Sequence, residues 1–149
     1  MIQIKKFAEI LQDVRGKVNE VSVKKITGTT LAVQENGMIK KLSDKNGVYL
    51  CGGYPSCETD ATDSDNYTAK NFCVLFLLEK KSFGSLTNME ELDFYAEMQA
   101  VAEKIQEILM AENCSCDYSF ATPKKIRMEW EYNIFGGWNG ISLGFEIES

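Results

Sequence analysis

No histidine occurs in these 149 residues, and there are only two prolines. The first absence removes imidazole acid–base catalysis, serine-type triads and histidine metal ligands together. Long apolar runs are missing as well. The longest, Phe72 to Leu78, falls far short of the roughly 20 residues that span a bilayer, so no membrane partner is expected. After Lys5 and Lys6 no signal-peptide core follows, because Glu9 and Asp13 interrupt the apolar residues, and the chain is expected in the cytoplasm at synthesis. Basic charge is also short: 16 Lys and Arg face 22 Asp and Glu, for a net charge of −6. That balance argues against sequence-specific nucleic-acid binding, because phosphate neutralisation needs a positive surface. Five basic doublets, at residues 5–6, 24–25, 40–41, 80–81 and 124–125, read as solvated strand ends and edges.

Five cysteines, an odd number without a secretion signal, argue against a disulfide framework. The conceivable zinc set is Cys51, Cys57, Cys114 and Cys116. Five residues separate the first pair and one the second, neither matching the two-to-four-residue gap that wraps a tetrahedral ion. No metal and no cofactor are expected. Gly52-Gly53 has no following helix or P-loop lysine, and Gly136-Gly137 leads into a strand, so no phosphate cradle forms. Cys114 and Cys116 follow the carboxyl end of a helix, where the dipole raises a thiol pKa instead of activating it. With no catalytic constellation, the chain is not expected to be an enzyme.

What is present is clearest in the last two dozen residues. Ile126, Met128, Trp130, Tyr132 and Ile134 alternate with Lys125, Arg127, Glu129, Glu131 and Asn133; after Gly136 to Gly140, Ile141, Leu143, Phe145 and Ile147 resume the period. Period-two alternation predicts a β-hairpin with one buried face and a glycine-rich reversal. Upstream, Thr87 or Asn88 with Glu90 or Glu91 forms a capping box for a helix to about Glu112, whose stripe is Phe94, Met98, Val101, Ile105 and Ile108. Ile4 to Arg15 carries a second stripe (Phe7, Ile10, Leu11, Val14), with Gly16 as its stop. The continuous apolar run within Asn71 to Lys80 suits a central strand covered on both faces.

Between these elements the pattern predicts a meander. Lys17 to Ile26 reads as a strand and residues 27–30 as a turn. Residues 31–34 and 38–42 read as a hairpin about Asn36-Gly37, and Val48 to Cys51 as a strand after Asn46-Gly47. Residues 52–70 hold an acidic, period-free stretch and read as a long exposed loop. Asp60, Asp63 and Asp65 there do not make an EF-hand, because Thr68 stands at the glycine position and Val74 at the twelfth. A flexible arm that orders on a partner is the other use of such a loop. The whole reads as a single α+β domain over residues 1–149. Its sheet is mainly antiparallel, packed by the N-terminal helix and the long amphipathic helix.

This order of elements from Phe72 onward resembles the small tail-completion (terminator) and neck proteins of tailed bacteriophages and prophages. The wording of Gly137 to Ile147 is similar to their closing strand. The resemblance implies a non-enzymatic α+β subunit that assembles as a homo-oligomer, contacts other phage structural proteins and is incorporated into a virion. Trp138, flanked by Gly137 and Asn139, either folds back on the core or is presented to a partner. Those three residues and Asp60, Asp63 and Asp65 are the candidate interaction sites. A small ligand-binding or thiol- or metal-dependent cytoplasmic protein stays open as the alternative.

Overall fold

The computed structural model describes residues 1–111 and 122–148. Helix α1 (Ile4–Val21) leads to strand β1 (Ile26–Ala32), helix α2 (Glu35–Leu42) and strand β2 (Val48–Gly53). Strands β3 (Ser56–Asp63) and β4 (Asn66–Lys80) follow, then helix α3 (Asn88–Met110) and strands β5 (Ile126–Ile134) and β6 (Trp138–Glu148). The α+β class and the mainly antiparallel sheet are as the pattern predicts. The sheet order is β1-β2-β4-β6-β5, with β3 on the early half of β4; among the described residues only β1 and β2 run parallel.

Two cores form, one on each face of the sheet. Helices α1 and α3 cover the first, where Phe7, Leu11, Val14 and Val18 meet Leu50, Leu75, Leu77, Met98, Ile105 and Leu143. The capping box is as expected: Thr87 Oγ1 accepts from the Glu90 amide at 3.2 Å, and Glu90 Oε1 accepts from the Thr87 amide at 3.3 Å. The second core is smaller. Met38 and Leu42 of α2 close over Cys51, Leu78 and Trp138.

The first third departs most from the expected meander. Helix α1 runs through Gly16 to Val21, so Lys17 to Val21 is helix and not strand. Val14 and Val18, four residues apart, are both fully buried, and that burial outweighs the roughly 1 kcal/mol that a mid-helix glycine costs. Asn19 then pins the helix to the sheet by accepting from the Ile26 amide (2.8 Å) and donating to the Ile26 carbonyl (2.9 Å). Of the doublet Lys24-Lys25, Lys25 is exposed at the start of β1 as expected, but Lys24 is half-buried. Lys25 Nζ donates to the Asn19 and Ser22 carbonyls at the end of α1, and Lys24 Nζ bridges Glu79 (3.3 Å) and Glu97 (3.1 Å).

Residues 27–30 lie inside β1, and residues 35–42 form α2 where a hairpin was expected. Parallel neighbours such as β1 and β2 need a crossover, and Met38 and Leu42 at helical spacing supply its buried side. Gly37 therefore has no positive φ, whereas Gly47 (φ 87°) makes the turn into β2 as read. The expected acidic loop at 52–70 is also overturned: β3 and the start of β4 make a hairpin, with Asp60 opposite Thr68 and Ala61 opposite Tyr67. Most of β3 is solvent-exposed, so no apolar alternation could betray it. Central strand β4 is covered on both faces only toward its end. Phe72 and Val74 share the face of Phe76 and Leu78 but stay exposed, beyond the part of that face that α2 covers.

Candidate interaction surface

The closing hairpin places the expected residues differently. Its reversal occupies Phe135 (φ 50°), Gly136 (85°) and Gly137 (103°), so Trp138, Asn139 and Gly140 belong to β6. Trp138 is 1% exposed and meets the Tyr49 ring edge-on at 5.9 Å between centroids. Of the two possibilities for Trp138, folding back is the one realised. Asn139 is likewise 1% exposed: it accepts from the Asn133 amide (2.6 Å) and donates to the Lys81 carbonyl (3.1 Å). Neither side chain faces a partner. Even-numbered Trp138 points away from Ile141, and helix α2 waits on that side.

Strand β5 carries the exposed aromatic surface instead. It is the last strand of the sheet and pairs only with β6 among the described residues. Ile126 and Met128 pack against the first core, but Trp130 (61% exposed) and Tyr132 (65%) overhang the flank of α3. Tyr95 meets Trp130 edge-on at 5.6 Å, and Phe83 stacks on Tyr132 at 5.6 Å, so the exposed rings are held in fixed positions. The Tyr95 hydroxyl donates to the Glu131 carbonyl at 2.8 Å. Burial, then the charges of Glu91, Tyr132 and Glu131, push the Tyr95 pKa up, which keeps that donor protonated. A bulge between Glu131 and Ile134 then reverses the facing, and Ile134 joins the Trp138 core, not the face of Met128. The opposite face of β5 bears Arg127 and Glu129, ion-paired at 2.7 Å in open solvent.

Beside β5 on that same face lies an open groove of about 570 Å³. Phe72, Val74 and Gly144 line it together with Lys125, Arg127, Glu146 and Glu148. Charges of both signs leave it without a field that selects one ligand charge.

The remaining candidates are dispersed. Asp60 is in the body of β3, while Asp63 and Asp65 sit at its turn, where Asp63 Oδ1 accepts from the Asp65 amide at 3.0 Å. No group of three acidic or cysteine side chains converges for a metal among the described residues. Cys51 is buried under α2 and Cys57 is on β3; Cys114 and Cys116 lie outside the described residues. Burial pushes the Cys51 and Cys73 thiols up to about 12, which leaves no thiolate at neutral pH for catalysis at either. No helix among the described residues is long and apolar enough to cross a membrane. Comparison with known proteins finds no matching family model and no matching curated protein.

The exposed pair Trp130 and Tyr132 was missed in sequence because alternation reports facing but not cover. Helix α3 is one helix wide, and the outermost strand projects beyond it.

Proposed function

We propose that this protein is a non-enzymatic assembly subunit, of the tail or neck kind in a tailed phage or prophage, that self-associates and binds neighbouring structural proteins. The observation that carries this reading is the aromatic strip of Trp130 and Tyr132 beside the edge of β5 that is unpaired among the described residues. Rigidly held exposed aromatics are the side chains most enriched where protein interfaces gain their affinity. An open strand edge offers backbone donors and acceptors to another chain. The sequence supports the phage setting through the closing-strand resemblance, and the lack of histidine and the protonated buried thiols support a role without catalysis.

Sedimentation equilibrium from micromolar to millimolar concentration tests self-association, and Trp130→Ala should weaken it. A chain that stays monomeric throughout overturns the self-association half. Capsid or tail genes flanking its own would support the phage half, and a neighbourhood of metabolic genes would remove it.

A further inference from the structure

The edge of β5 away from β6, which pairs with no strand among the described residues, has a register in which it fits itself. We infer that a second copy of this chain pairs antiparallel with β5 about a two-fold axis through Met128, extending the sheet across two subunits. The inference rests on the self-association half of the assembly reading and specifies its surface.

Symmetry restricts the options severely. In a two-fold pair every contact occurs twice, so residue i opposite residue j also means j opposite i. Continuing the sheet with its helices on the same side puts one residue on the axis, and each choice of that residue fixes all cross-strand neighbours. Placing Arg127 on the axis sets two guanidinium groups against each other. Glu129 or Glu131 on the axis sets carboxylate against carboxylate. Ile126 there opposes Lys125 to Arg127, and Trp130 there opposes Glu129 to Glu131.

Met128 alone pairs every charge with its opposite. Arg127 then faces Glu129 of the copy, Lys125 faces Glu131 of the copy, and the symmetry doubles both pairs. On the helix side the same register sets Ile126 opposite the Trp130 of the copy and Met128 against itself. That covers the overhanging indole with an aliphatic side chain. Arg127 and Glu129, now paired within one strand, are 79% and 51% exposed, so exchanging partners across the axis needs little desolvation. The strand is regular from Ile126 to Glu131 and holds no proline that would withhold a donor. Because the bulge at 131–134 bends the strand beyond this stretch, pairing ends there.

Charge swapping on the full chain, read by sedimentation equilibrium, tests the register. R127E and E129R should each weaken association about tenfold, because each creates two like-charge contacts. The double variant R127E/E129R should recover wild-type association, since exchanging the signs restores both pairs. Mixing the two single variants should give a heterodimer tighter than either variant alone, because an acidic strand then meets a basic one. Failure of the double variant to recover, or of the mixture to associate preferentially, overturns this register. If the wild type still self-associates, that failure leaves the assembly reading standing; a monomeric wild type removes both. Both side chains are exposed, and an unchanged circular dichroism spectrum verifies that each variant is folded.

Discussion

Asn139 accepts the Asn133 amide at 2.6 Å across the closing hairpin, and its amide nitrogen donates to the carbonyls of Lys81 (3.1 Å) and Gly137 (3.3 Å). One buried side chain thus satisfies backbone groups on three segments around a bulge whose ladder is interrupted. Asn139→Ala strands the Asn133 amide and should cost about 1–3 kcal/mol. Asn133 itself sits at φ 50°, and Asn133→Gly should be far milder because glycine adopts that conformation freely. Urea unfolding of both variants makes the comparison; equal losses would contradict the geometry.

The two tryptophans should respond oppositely to solvent probes. With Trp138 buried and Trp130 exposed, iodide should quench W138F, which retains the exposed ring, far more than W130F, which retains the buried one. Trp138→Ala should destabilise by about 3–5 kcal/mol through the cavity left beneath α2. Trp130→Ala should leave stability nearly unchanged while altering association.

Gly140 and Gly16 should behave as opposites under the same change to alanine. A Cβ at Gly140 would collide with the Leu77 carbonyl in the neighbouring strand, and Gly140→Ala should cost about 1–3 kcal/mol or more. Around Gly16, inside α1, nothing lies within 4 Å of the added methyl. Gly16→Ala should stabilise by about 0.5–1 kcal/mol. Thermal unfolding reads both signs.

Stability should fall in alkali. Cys51 and Cys73 titrate at about 12 in the fold against 9.0 ordinarily, so above pH 9 the unfolded chain releases protons that the native chain keeps. Their contribution is fully present below pH 9 and is lost toward pH 12, by about 1.4 kcal/mol per pH unit for each thiol. Tyr95, also raised, acts in the same direction above pH 10. Alanine at both cysteines should flatten the decline when unfolding is followed from pH 8 to about pH 11. In the native protein at neutral pH a thiol reagent should leave both residues unmodified.

Where one element carries its own signal, sequence reading succeeds. Thr87 and Glu90 cap α3 with groups three residues apart, and the alternation of Ile141 to Ile147 marks β6. Both signals are local, and both elements have a face that is wholly buried. Asn36-Gly37 shows the limit. The pair tolerates a left-handed turn, yet the need to cross from β1 to a parallel β2 makes it helical. The β3 hairpin had no apolar face to announce it, because it extends from the sheet into solvent.

The sequence by itself determined the α+β class, the two helical stripes and the facing of the regular parts of β5 and β6, since helical and strand periods follow from backbone geometry alone. Tertiary structure decided which faces are covered. Helix α2 closed over Trp138 and decided between core and partner contact in favour of core, while β5, outermost in the sheet, left Trp130 and Tyr132 beyond the reach of α3. Strand order places an element at the centre or the edge: the continuous apolar run of β4 announces a centre, but the alternation in β5 reads the same for a covered strand as for an outermost one.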